Sequence, residues 1–239
     1  MATTADTVST ARPRANKDTA TIVARVRVWD APTRLFHWTV VGLVGTSWVT
    51  AENGLIRVHL WSGAVLLTLL IFRIGWGFWG STTARFNDFV ASPKSVIGYL
   101  RALLRGAKPL HAGHNPAGGW MVVTLLTLLI VQATTGLFAN DDIHFNGPLA
   151  MLINKDASDG ITDLHGILFN IVLLLVWLHL VAVFFYRLVK GEDLIGPMVT
   201  GTKPAASVPP GATLRFARLS LAVLLLASAA AIVWWVVRP

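Results

Sequence analysis

Cysteine is absent from the 239 residues, which excludes disulfides, thiolate metal sites and cysteine-held iron–sulfur clusters. Any metal chemistry falls to imidazole. Charge is scarce too: only 13% of residues are Asp, Glu, Lys or Arg against 54% hydrophobic, with a mean hydropathy of +0.61. Those are not the proportions of a soluble domain, and they point to an integral membrane protein. Tyrosine is rare at two residues, whereas ten Trp and eleven Phe supply interfacial belts and surfaces for packing a planar ligand. A net charge of +8 would suggest nucleic acid in a soluble chain. In a membrane chain it asks instead where the positive residues fall, and no nucleic-acid partner is expected.

Residues 1–24 contain no apolar run, so they are read as a disordered tail and not as a secretory signal. Five apolar windows follow, at about 35–51, 58–79, 119–139, 164–186 and 219–237, none containing Pro, Asp or Glu. Each is long enough to cross a hydrocarbon core of roughly 30 Å, and in lipid the backbone can satisfy itself only as helix or closed barrel. The expected fold is therefore all-α, a four-helix membrane bundle over residues 25–200. A linker at 201–218, rich in Gly and Pro, leads to a fifth transmembrane helix at 219–237. The turn Glu52-Asn53-Gly54 suits a helical hairpin, and residues 94–105 read as an amphipathic helix lying on the membrane surface. Sixteen of the twenty Lys and Arg fall in the tail and in the second and fourth connections. By the positive-inside rule the N-terminus is expected in the cytoplasm and the C-terminus outside a bacterial inner membrane. The outer connection at 140–163 then carries five Asp and one Lys.

Histidine carries the chemistry. Of seven, His37, His59, His165 and His179 lie within or at the ends of apolar windows, where an ionisable residue calls for a functional reason. His165 and His179 share the fourth window fourteen residues apart, nearly four helical turns, so they lie on one face about 21 Å apart along the axis. The inferred topology sets His37 level with His179 and His59 level with His165. Two bis-imidazole pairs stacked across a membrane suit two haems b, each iron six-coordinate and closed to oxygen chemistry. Gly63, one turn after His59, and Gly166, beside His165, would let a porphyrin approach the helix backbone, or serve ordinary helix packing.

Several segments extend this reading: VRVWDAPTRLFHWTVV (Val26 to Val41), RVHLWSG (Arg57 to Gly63), RIGWGFWG (Arg73 to Gly80), GHNPAGGWM (Gly113 to Met121), and LHG with WLHL in the fourth window. Together they resemble the bacterial cytochrome b561 family and the related b-type cytochrome subunit of nickel–iron hydrogenases, over about residues 26–200. The resemblance implies two haems b between four helices, with His37 and His179 ligating one iron and His59 and His165 the other. Arg34, Arg57 and Arg73 are candidates to meet haem propionates, or to reach lipid phosphate. Gln132 is a candidate for an interhelical hydrogen bond or a quinone contact. His111 and His114 are given no iron, and His144 is read as a solvated residue of the outer loop.

The expected function is a di-haem cytochrome b passing electrons across the membrane between a quinone pool and an external redox partner, either a c-type cytochrome or a hydrogenase-like subunit. An acidic outer loop would steer a basic partner. Two alternatives stand beside it. One is a superoxide:quinone oxidoreductase, known within the resemblance group. The other is a proton or metal transporter using the histidines as a relay, which would call for intramembrane Asp or Glu.

Overall fold

A computed structural model describes residues 24–142 and 145–238. The expected tail, apart from Ala24, and His144 lie outside the described residues. Two long helices form a hairpin. Helix α1 (Ala31–Glu52) starts where Asp30 accepts the Thr33 N–H at 2.7 Å with proline in the first turn, a sequence that pre-forms a helix start. It ends at Asn53, and Gly54 takes a φ of +66°, the left-handed geometry that lets the chain reverse into α2 (Ile56–Trp79).

A short helix α3 (Phe86–Phe89) and the surface helix α4 (Pro93–Leu104) lead to α5 (Pro116–Gly136), whose start Asn115 caps by accepting the Gly118 N–H. Helix α6 (Lys155–Phe185) continues through one wide turn at 186–190. It begins well before the expected residue 164, because the Asn154 side chain accepts the Ala157 N–H and Asp156 sits favourably in the first turn. Asp156, Asp159 and Asp163 are thus residues of a helix and not of a loop. Helices α7 (Ile195–Thr200) and α8 (Leu219–Val237) complete the chain.

Among the described residues four helices are long and apolar enough to cross a membrane: α2, α5, α6 with its wide turn, and α8. Helix α1 has the length, at 22 residues, but not the hydropathy. Thr46 and Thr50 interrupt its apolar run, and their hydroxyls bond back to the carbonyls of Gly42 and Thr46, so the polar groups are satisfied within the helix.

α2 is the centre of the assembly, packing on α1, α5 and α8, while α5 in turn packs on α6. Leu66 and Leu70 of α2, Leu129 and Leu126 of α5 and Val172 of α6 make the buried core. On the opposite flank α8 lays Ala222 and Ala229 against Phe72 and Trp76. Small residues bring the two helices close: a Cβ on Gly75 would stand 3.1 Å from Leu225.

The two ends of the bundle differ. At the basic end, β1 (Arg25–Arg27) pairs antiparallel with β2 (Thr202–Pro204), and the N–H groups of Val28 and Trp29 both donate to the Gly201 carbonyl. The segment 201–218 runs back across this end, held by Thr82 to Arg215 and by the Ala217 N–H donating to the Ser81 hydroxyl. The acidic end is built on Asn140, whose amide donates to Ser158 and Asp159.

Candidate functional site

α6 presents His165 toward the acidic end and His179 toward the basic end. Facing them across the bundle are His59, in the first turns of α2, and His37, in the second turn of α1. The rings meet in the two pairs expected from depth: His37 and His179 have centroids 6.5 Å apart, and His59 and His165 6.2 Å apart. α1 and α6 do not pack closely on one another; what faces between them is aromatic, the two imidazoles at one level and Trp48 with Phe169 at another.

Hydrogen bonds fix the tautomers of the pair near the acidic end. A carbonyl can only accept, so the 2.9 Å contact of His59 with the Ser47 oxygen makes Nδ1 the protonated nitrogen and leaves a lone pair on Nε2. The Thr135 hydroxyl donates to the Gln132 carbonyl at 2.8 Å and therefore accepts from His165 Nδ1 at 3.0 Å. His165 Nε2 is then an acceptor, met by the Gln132 amide at 3.1 Å. Held through Nδ1, each imidazole keeps Nε2 as the nitrogen that would ligate a metal, His165 once the Gln132 amide gives it up. A Cβ on Gly136 would stand 3.0 Å from His165 Cε1, so the absence of a side chain there lets this ring sit against α5. Cβ atoms added at Gly63 and Gly166 would meet nothing within 4 Å.

The arginines separate. Arg57 is exposed. Arg34 donates to the Val199 carbonyl while its Nε, buried, has no hydrogen-bond partner among the described residues. Arg73 is 2% exposed, lies over the Phe86 ring at 5.4 Å, and its Nη1 has no such partner either.

Sequence reasoning passed over two residues at this end. Asp30 caps α1 and also accepts the Trp76 indole N–H; the Asp-Ala-Pro start was the available signal. His114 is held between Trp29 and Phe89, each centroid 4.8 Å away, with an enclosed Nδ1 that also lacks a partner among the described residues. Burial, and then the charge of Arg73, push it down to about 3, so this imidazole is neutral. Among the described residues no three His, Asp or Glu are gathered so as to hold a metal ion between them.

The sequence profile of the prokaryotic cytochrome b561 family matches residues 28–201, a stretch that carries all four paired histidines. The chain belongs to the prokaryotic cytochrome b561 family. A probable Ni/Fe-hydrogenase B-type cytochrome subunit of Rhizobium leguminosarum bv. viciae is 23% identical over 212 residues, covering 74% of this chain and 88% of that relative. No solved structure matches. This cytochrome b561 is therefore an integral membrane b-type cytochrome of electron transfer, and the cofactor of its family is haem b. The matched region stops short of α8, so the helix that this cytochrome packs on the flank of α2 lies outside the part that defines the family.

Proposed function

We propose that this cytochrome binds two haems b, one between His37 and His179 and one between His59 and His165, and relays electrons across the bacterial inner membrane. The observation that carries the reading is the spacing of the rings. Two imidazoles on opposite sides of one metal ion place their centroids about 6 Å apart, about 2 Å for each metal–nitrogen bond and about 1 Å from each nitrogen to its ring centre. The pairs stand at 6.5 and 6.2 Å.

Bound haem supplies the one-electron chemistry. The protein supplies ligands, orientation and a water-poor interior. Ser47 and Thr135 hold the Nδ1 atoms of His59 and His165, and Gln132 would release His165 Nε2 to hold the haem. With two histidines to hold each haem, the chemistry the bound group would supply is outer-sphere electron transfer and not binding of a substrate to iron. The four turns of α6 between His165 and His179 set the two sites about 21 Å apart along its axis, one near each face of the membrane.

The basic end faces the cytoplasm, following the distribution of Lys and Arg, and α1 crosses the membrane with α2, α5, α6 and α8, leaving the C-terminus outside. Electrons pass between a quinone pool and an external redox partner at the acidic end, either a c-type cytochrome or a hydrogenase-like subunit of the kind named in the relative from Rhizobium. The test is haem per polypeptide with a reduced-minus-oxidised spectrum of the detergent-purified protein. Two haems b with a sharp low-spin α band are expected, falling to one in His165→Ala and in His179→Ala; unchanged pyridine-haemochrome content in either variant overturns the ligand assignment.

A further inference from the structure

Arg73 is a permanent cation shut away from water, with one guanidinium nitrogen that has no hydrogen-bond partner among the described residues. Such a group is strongly unfavourable unless an anion meets it. The carboxylate whose charge reaches it is Asp30, whose oxygens accept from the Thr33 N–H and the Trp76 indole and form no ion pair with Arg73 among the described residues. His114 stands in the same setting. A continuous series of aromatic contacts joins them: Arg73 lies over Phe86, Phe86 touches Phe89 at 5.7 Å, and Phe89 touches His114 at 4.8 Å. Arg73 lies fourteen residues beyond His59 on α2, nearly four helical turns toward the other end, so the recess stands at the level of the imidazole pair near the basic end. Lys203, 3% exposed, is also buried here, but it is satisfied by Glu192 and the His111 carbonyl.

The pair near the acidic end has other neighbours. Ser47, Ser62, Gln132 and Thr135 surround it, all neutral, and Arg57 is exposed.

Resting on the haem ligation proposed above, we propose that Arg73 and His114 form a carboxylate-binding recess for the propionates of the inner haem, with no counterpart among the described residues at the outer one. A guanidinium offers two parallel N–H donors to a carboxylate, and a neutral imidazole adds one more. The inner porphyrin is then gripped through iron and carboxylate together, the outer one through iron and uncharged contacts. The two sites differ in what they demand of the porphyrin.

The experiment loads the full-length, haem-free chain in detergent with haem b or with its dimethyl ester, in which both propionates are neutral. His165→Ala isolates the inner site and His179→Ala the outer site, each read by its α band and titration midpoint. The inner site is expected to prefer haem b over the ester by about tenfold or more, the scale of hydrogen bonds to a charged group, and the outer site to show no preference. Arg73→Gln should abolish the inner preference and Arg73→Lys should retain part of it. His114→Phe, which keeps a ring between Trp29 and Phe89, should reduce it. Equal affinity for acid and ester at the inner site, or a preference that survives in both Arg73→Gln and His114→Phe, overturns the recess while leaving the iron ligation standing. If the His165→Ala chain takes up neither porphyrin, the ligation itself fails and the recess falls with it.

Discussion

The Thr135 hydroxyl stands 3.0 Å from His165 Nδ1 and spends its own proton on the Gln132 carbonyl, so α5 dictates which nitrogen of the α6 imidazole carries a proton. Supporting bonds of this kind are worth about 10- to 100-fold in metal affinity where they orient a ligand. Thr135→Val should therefore weaken the outer haem site by about that factor and leave the inner site unchanged, while Thr135→Ser, which keeps the hydroxyl, should behave as wild type. Haem titration on the two single-site backgrounds measures it. Equal weakening of both sites would mean that Thr135 supports the bundle and not the ring.

Gly63 and Gly136 differ in a way that a spectrum can read. A Cβ at Gly136 would press on the His165 ring at 3.0 Å, whereas one at Gly63 meets nothing within 4 Å. Gly136→Ala should displace the imidazole and deplete the outer haem. Gly63→Leu should leave the helix content and thermal unfolding of the haem-free chain intact, yet lower haem uptake, because the added side chain projects one turn along α2 from His59. Normal uptake by Gly63→Leu would remove Gly63 from the haem environment.

Asp30 joins the start of α1 to α2, since one carboxylate caps the helix and receives the Trp76 indole. Asp30→Ala forfeits the cap, about 1 kcal/mol, and leaves a buried indole N–H unpaired, about 1–3 kcal/mol more. Asp30→Asn retains the cap and should recover part of the loss. Thermal unfolding in detergent, compared across the two variants, checks the ordering; identical midpoints in all three proteins would show that the contact is not stabilising.

Much of this was legible from spacing alone. The fourteen residues between His165 and His179, and the alternation of helix direction, were enough to pair the four histidines by depth, because helical periodicity and membrane thickness are rigid rulers. The hairpin turn at Asn53-Gly54 was legible for the same local reason. What escaped is either local bonding that hydropathy does not report or contact with partners distant in sequence. The start of α6 lay inside a polar segment, where hydropathy is silent and only the Asn154 cap marks the helix. The low hydropathy of α1 gave no hint that its threonines are satisfied by its own carbonyls. His114 looked like a loop residue; only the packing of Trp29 against Phe89, sixty residues away in the chain, encloses it. The 201–218 segment has a linker's composition, and the bonds that hold it to Ser81 and Thr82 cross more than a hundred residues.

The acidic end gives the last prediction. Lys155 forms ion pairs with Asp142 and Asp159, and the Asp141 carboxylate accepts the Phe145 N–H, so those three acids shape the loop as well as charge it. Asp156 and Asp163, both exposed on the first turns of α6, have no ion pair among the described residues. They are the better handle on docking, because neutralising them alters the field without undoing an ion pair, at the cost only of the favourable place of the Asp156 charge in the first turn of α6. Charges at the rim of an encounter surface act on association rate more than on the bound complex, and salt screens them beyond about 10 Å at 0.1 M. The double variant Asp156→Asn, Asp163→Asn should slow electron exchange with a basic c-type cytochrome by about three- to tenfold at low ionic strength. The difference should vanish in high salt, with haem content constant. Stopped-flow kinetics across a salt series decides between the candidate partners: a rate indifferent to both salt and the substitutions removes steering of a basic soluble cytochrome, and favours a subunit held at this face by the apolar side chains of Met151 and Leu152, which are 92% and 73% exposed beside it.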